Sequence, residues 1–329
     1  MKEAVFVRQN RGKWKRYEDC LKNIEQQSPD ALADIYIDIT NDLSFAQSHY
    51  HNSRIHFYLN SLSIRLHQFI NRKKKEKFSR IITYWKHEVP LVMYGARKEL
   101  LYSFLIFAVS VLIGIFSTAR DEDFPRLILG DSYVNMTKHN IETGDPMGVY
   151  KGDAGSLMFL GITVHNIGVS FNTFIFGIFT SIGSAYMILK NGIMLGCFQY
   201  FFYDYGLFKE SFLTVWIHGT LEISAIIVAG AAGITMGNGW LFPGTYSRIV
   251  SFRRSAKKGM KIIIGTIPIF IIAGFLESFV TRHTELPDVV RAAIILLSLS
   301  FVIFYYIIYP KKLSIINYQF KLYNYVRSN

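Results

Sequence analysis

The chain has 329 residues, half of them hydrophobic and 16% aromatic, and a formal net charge of +12. Only 18% of its residues are charged, below the roughly 25% of soluble domains, so the apolar excess must meet lipid or a very large interface. The two cysteines, Cys20 and Cys197, lie far apart, which excludes a disulfide framework or a zinc ribbon.

Residues 1–98 read as one basic helical domain, with 18 Lys/Arg against 10 Asp/Glu. The first 25 residues are polar, so no cleavable leader is expected and the first apolar run serves as the insertion signal. Trp14 to Gln27 has helical spacing. Ser28-Pro29-Asp30 is a helix start, with Ser28 as cap and Pro29 in the first turn. Leu32, Ile35, Ile39, Leu43, Ala46 and Tyr50 form an amphipathic stripe, and Leu59, Leu62, Leu66 and Phe69 continue it in a third helix. A fourth, from about Phe78 to Arg97 and kinked at Pro90, feeds into the membrane. Such helices pack as a small bundle.

Six spans are then predicted, near 100–118, 171–189, 193–210, 212–237, 262–281 and 292–309. Leu100 to Thr118 holds 19 residues without a charge, and about 20 residues cross a hydrocarbon core. The 119–155 loop is acidic. Residues 156–170 read as mixed and interfacial. Lys190-Asn191-Gly192 reads as a break, and 193–210 is the weakest span, with a re-entrant pair as the alternative. The 238–261 loop carries Arg248, Arg253, Arg254, Lys257, Lys258 and Lys261 without an acid, and the 311–329 tail is basic. The positive-inside rule therefore places the N-terminal domain, Lys190, this loop and the tail in the cytoplasm, and 119–155 outside. The fold class is all-α: a polytopic membrane protein with about six transmembrane helices after an N-terminal cytoplasmic helical bundle.

The basic residues Arg72, Lys73, Lys74, Lys75 and Lys77, with Arg253, Arg254, Lys257 and Lys258, are expected to face anionic lipid. The 72–80 cluster lacks interleaved stacking aromatics apart from Phe78, so nucleic acid is not an expected partner.

His218 and Glu222 are four apart and share a face of their span. A charge at that depth must pair or line a polar cavity, and His218 is the obvious partner. The residues allow a structural pair, a proton or ion pathway, or a catalytic or metal site. Zinc hydrolysis uses three ligands and a base, and His87-Glu88-Val89-Pro90-Leu91 is not the His-Glu-x-x-His motif, so neither metal nor cofactor is expected. Glu277 either snorkels to the interface or completes a cluster with the other two. Gly168-Val169-Ser170 is too short a motif to carry a serine hydrolase. Two ridges of small residues, Ala225, Ala229, Gly233, Gly237 and Thr173, Gly177, Ser181, Ala185, let helices approach closely, and the simplest reading is that they mate.

His218-Gly219-x-x-Glu222-x-x-Ala225-x-x-x-Ala229-Gly230-x-x-Gly233 resembles the signature of the stage II sporulation protein M family. The upstream Asn191-Gly192-x-x-x-Gly196 and the later Phe275-Leu276-Glu277-Ser278-Phe279-Val280 resemble two further segments of it. Phe6, Trp14, Leu21, Asp42-Leu43-x-x-Ala46, Tyr58-Leu59-Asn60 and Arg65-x-His67 extend the resemblance over the N-terminal domain. It implies a multi-pass protein of the bacterial cytoplasmic (inner) membrane with both termini cytoplasmic. In spore formers the namesake anchors cell-wall hydrolases, so envelope proteins, hydrolases among them, are the implied partners. Two functions stand open. One is a non-enzymatic scaffold that homo-oligomerises, as a dimer, through its small-residue ridges. The other is a transporter or channel component with a polar site at His218/Glu222/Glu277.

Overall fold

The structure, a computed structural model, describes residues 2–22, 28–70, 79–151 and 156–328. The described residues are helical almost throughout, with no strand among them, and divide into two compact units, 1–78 and 79–329.

The first unit holds α1 (Glu3–Lys22), α2 (Pro29–His49) and α3 (Arg54–Ile70). Ser28 caps α2, its hydroxyl accepting the Ala31 N–H at 3.2 Å. The expected stripes meet in the core. Phe6 and Trp14 pack on Ala46, Ile55 and Leu59, while Leu32 and Ile39 pack on Leu62 and Leu66. Two α1 aromatics also reach polar partners on α2. The Trp14 indole donates to Asp42 at 2.7 Å, and the Tyr17 hydroxyl donates to Asp38. The expected lipid-facing residues Arg72, Lys73, Lys74, Lys75 and Lys77 lie outside the described residues.

The second unit opens with α4 (Ser79–Thr83), a π turn (Tyr84–Glu88) and α5 (Val89–Gly95). This segment, read as the end of the 1–98 domain that feeds into the membrane, belongs to the compact unit of the apolar helices. The aromatic hydroxyl and indole groups explain why. Tyr84 donates to the Lys261 carbonyl at 2.6 Å, Trp85 to that of Gly265 at 3.2 Å, and Tyr305 to that of Trp85 at 2.7 Å. Then follow α6 (Arg97–Arg120), α7 (Phe124–Leu129), α8 (Asp131–Glu142), α9 (Ser156–Ile175), α10 (Thr180–Asp204), α11 (Phe208–Leu241), α12 (Arg248–Phe275), α13 (Asp288–Ile303) and α14 (Tyr309–Ser328). Helix α12 runs into a π turn at Leu276–Thr281, and another π turn, Phe304–Ile308, joins α13 to α14.

Among the described residues, five helical runs are long and apolar enough to cross a membrane: Arg97–Arg120, Met158–Asp204, Phe208–Leu241, Arg248–Thr281 and Asp288–Gln319. Helix α11 is the axis. Its apolar stretch is 56% buried, against 11% for the last run, which lies on the rim. The 158–204 run doubles back. Ser184 donates to the Thr173 carbonyl at 2.7 Å, although eleven residues of straight helix would hold them about 16 Å apart. A short 3-10 turn (Phe176–Phe179) and Thr180, at φ +68°, make the reversal. Arms α9 and α10 have 20 and 25 residues, and about 20 suffice for a crossing.

This corrects the span boundaries. The expected break at Lys190-Asn191-Gly192 is the interior of α10, and residues 156–170, read as interfacial, form most of arm α9. The Asn191 amide donates back to the Met187 carbonyl at 2.8 Å, as a residue within a helix can. Gly192 and Gly196 are there for close approach. A methyl group on Gly192 would meet Ser110 Cβ at 2.6 Å and the Phe107 carbonyl at 2.9 Å, and one on Gly196 would strike the Val111 carbonyl. Lys190, expected at a cytoplasmic end, therefore stands level with the middle of α6. The acidic 119–155 loop contains α7 and α8.

Candidate functional site

Helix α11 presents His218 and Glu222 one turn apart, and three other segments close on them. The π turn after α12 supplies Glu277 and Thr281. The His218 Nδ1 lies 2.9 Å from the Thr281 hydroxyl, and its Nε2 lies 4.0 Å from a Glu277 carboxylate oxygen. Helix α9 supplies Asn166, whose amide donates to Glu222. The 3-10 turn Gly148–Lys151 lays the Tyr150 ring 5.8 Å from the imidazole. One ligand atom from each of His218, Glu222 and Glu277 lies within 4.8 Å of the others.

The three are thus brought together as one cluster, and Glu277 completes it rather than snorkelling. The pairing differs from the expected one in detail. His218 is fixed by Thr281 and faces Glu277, while Glu222 is fixed by Asn166. The π turn is the physical reason. Its wider ring advances the helix face and aims Glu277 and Thr281 at α11. Access is graded: the His218 side chain is 5% exposed and that of Glu277 16%. Ser278, beside Glu277, buries a hydroxyl without a hydrogen-bond partner. So does Thr163, which presses on Gly274 one turn before Glu277.

Chemically, the cluster suits a small cation. Two ligands of a tetrahedral ion with 2.0–2.1 Å bonds stand about 3.3 Å apart, within reach of the observed spacing by modest side-chain rotation. The 4.0 Å from Nε2 to Glu277 is too long for a hydrogen bond and suits two groups sharing an ion or a water. Ser170, of the Gly-x-Ser sequence, is fully buried with an unpartnered hydroxyl.

The small-residue ridges are used up inside the chain. Gly177 lies on the Gly233 backbone, and Gly237 on the Ser181 backbone. The Ser181 hydroxyl donates to the Asn238 side-chain oxygen at 2.7 Å, and the Asn238 amide donates to Glu99 at 3.2 Å. Ala225 and Ala229 are fully buried, and Ala185 is half-buried. Thr173 and Gly177 precede the reversal while Ser181 and Ala185 follow it, so this ridge is a hairpin tip rather than one helix face. Arg253, Arg254, Lys257 and Lys258 are exposed at the start of α12, at the same end of the bundle as that tip. Lys258 and Glu99 line a cavity of about 280 Å3 there with Asn238 and Ser255.

Stage II sporulation protein M sequences match residues 103–282, more than half of the chain. The chain belongs to the stage II sporulation protein M family. The matched region takes in the whole cluster, the α6–α10 seam and the hairpin tip, so the family's shared segment is the core that builds the site. Residues 4–72 match a second family, described only as a domain of unknown function (DUF8413). An uncharacterized protein of Methanocaldococcus jannaschii, MJ0706, is 26% identical over 193 residues, covering 56% of this chain and 82% of that protein. No solved structure matches the chain. In this member of the family Asn166, Thr281 and Tyr150 complete the site, and none of them stands out in the sequence as a site residue.

Proposed function

We propose that the protein works as a cation-dependent component of membrane transport, taking up a proton or a divalent metal ion at His218, Glu222 and Glu277. The observation that carries this is the convergence of a histidine and two carboxylates within 4.8 Å inside the apolar helical unit. Two carboxylates so close in a low-dielectric setting need a compensating positive charge, and groups of this kind at membrane depth mark ion and proton pathways. Asn166 orients Glu222, and Thr281 holds the imidazole so that Nε2 faces Glu277. Glu277, more exposed than His218, is the point of arrival. Pro268 interrupts the α12 hydrogen-bond ladder nine residues earlier and supplies compliance near the site.

The scaffold reading by homo-oligomerisation loses its mechanism, because its ridges are spent within one chain. The basic α12 start and the α6 start share one end of the bundle, which the positive-inside rule puts in the cytoplasm. A bacterial inner membrane follows only from the family resemblance. The test is a calorimetric titration of Zn2+ or Mn2+ into full-length protein in nanodiscs, paired with proton flux in dye-loaded proteoliposomes. Wild type should bind one ion per chain or carry protons, and Glu222→Gln or Glu277→Gln should lose at least tenfold in that property. Wild-type protein that binds no metal and moves no protons would overturn the proposal.

A further inference from the structure

The cavity of about 280 Å3 at the basic end of the bundle is lined by both an acid, Glu99, and a base, Lys258. Among the described residues the two form no ion pair with each other, and Lys258 makes no hydrogen bond or ion pair at all. One oxygen of the half-buried Glu99 accepts the Asn238 amide at 3.2 Å, and the Ser181 hydroxyl holds Asn238 from the other side at 2.7 Å. The second Glu99 oxygen and the Ser255 hydroxyl on the same wall have no partner among the described residues. Gly95 also lines the space, and a methyl group there would meet nothing within 4 Å. The cavity far exceeds the roughly 30 Å3 share of one water, so a single ion or water does not fill it.

An acid and a base that face one space without meeting fit a ligand carrying both complementary charges. A simple anion would satisfy Lys258 but meet Glu99 as a like charge, and a simple cation would do the reverse. The position of the two residues narrows the ligand further. Glu99 directly precedes the uncharged run from Leu100 to Thr118, and Lys258 lies four residues before the apolar run that begins at Ile262. Both therefore stand at the edge of the hydrocarbon, where lipid headgroups lie. At this edge Tyr84 and Trp85 donate to the carbonyls of Lys261 and Gly265, in the manner of an interfacial aromatic belt.

We propose that this cavity binds the phosphoethanolamine headgroup of an aminophospholipid. The primary ammonium donates to the free Glu99 oxygen, while Lys258 and Ser255 donate to the phosphate. Val92 and Phe242, on the same wall, pack against the glycerol and the first acyl carbons. A choline headgroup has no N–H to give Glu99, and a glycerol headgroup has no cation for it.

The experiment is native mass spectrometry of the full-length protein in detergent, offered equal amounts of phosphatidylethanolamine, phosphatidylcholine and phosphatidylglycerol with identical acyl chains. Wild type should retain phosphatidylethanolamine at least tenfold over either of the others. Glu99→Gln should remove the preference over phosphatidylcholine, and Lys258→Met should cut retention of phosphatidylethanolamine at least tenfold. Gly95→Leu, which fills the space and keeps both charges, should do the same. Lys209→Met, at the opposite end of α11, should change nothing. Unaltered circular dichroism verifies that each variant is folded. Equal retention of the three lipids by wild type overturns the proposal, as does a preference that survives in both Glu99→Gln and Gly95→Leu. Free phosphoethanolamine that displaces the lipid at equal concentration would assign the cavity to a soluble zwitterion and refute the lipid.

Discussion

Two glycines of α11 offer a matched test of how the bundle is held together. A methyl group on Gly219 would meet Val215 Cγ1 at 3.6 Å and Ile223 Cδ1 at 3.7 Å, ordinary contact distances. On Gly233 it would strike the Ser184 hydroxyl, with Ser184 Cβ and the Thr173 carbonyl both at 2.9 Å. Gly219→Ala should therefore gain most of the helix preference of alanine, about 0.8–1.0 kcal/mol. Gly233→Ala gains the same but drives Ser184 off the Thr173 carbonyl, losing a hydrogen bond of about 0.5–1.5 kcal/mol. Overpacking adds about 1–3 kcal/mol of cost. The two variants should differ by roughly 2–4 kcal/mol, with Gly219→Ala the more stable. Reversible unfolding in mixed dodecylmaltoside and SDS micelles, followed by circular dichroism, measures the difference. Equal stabilities would refute the account of the hairpin tip as a backbone-to-backbone seam.

Thr180 at φ +68° is strained as a non-glycine residue at the reversal, so Thr180→Gly should stabilise the protein by about 1 kcal/mol in the same assay. At the end of the Tyr84–Glu88 π turn, the hydrogen bond from Lys261 holds the Glu88 carboxyl below its ordinary 4.5, and the Lys261 charge adds to this. The stabilisation is present above that ordinary value and disappears as pH falls through the lowered one. Since both side chains are about a third exposed, the pair contributes no more than about 0.5 kcal/mol. The Tm advantage of wild type over Lys261→Met should be small at pH 6 and shrink as pH falls below 4.5; an advantage that grows on acidification would contradict the pairing.

The sequence was informative wherever one stretch of chain carries its own pattern. The cap at Ser28, the amphipathic stripes of α2 and α3, and the long apolar runs all follow from local spacing. The two ridges that meet at Gly177 and Gly233 were legible because small residues recur in each at four-residue steps. The reversal at Phe176–Thr180 was not. It sits in an apolar stretch without proline, and its freed carbonyl at Thr173 is satisfied by Ser184, eleven residues on. Meanwhile Lys190-Asn191-Gly192 has turn-like composition but lies in a helix, because the facing α6 rewards glycine at 192 more than a turn would. For the site, the i,i+4 pair on α11 could be read directly. Its partners could not, since which groups α12 turns inward depends on a π turn that no composition announces.

That π turn has a consequence for how the family could vary. Each residue added to or taken from a helix rotates everything beyond it by about 100°. Deleting one residue between Glu277 and Thr281 would restore an ordinary helical ladder and swing the threonine away from His218, with little change to the apolar content of the span. A single-codon insertion or deletion, rather than a string of substitutions, is thus the shortest evolutionary route by which such a membrane core gains or sheds its polar centre.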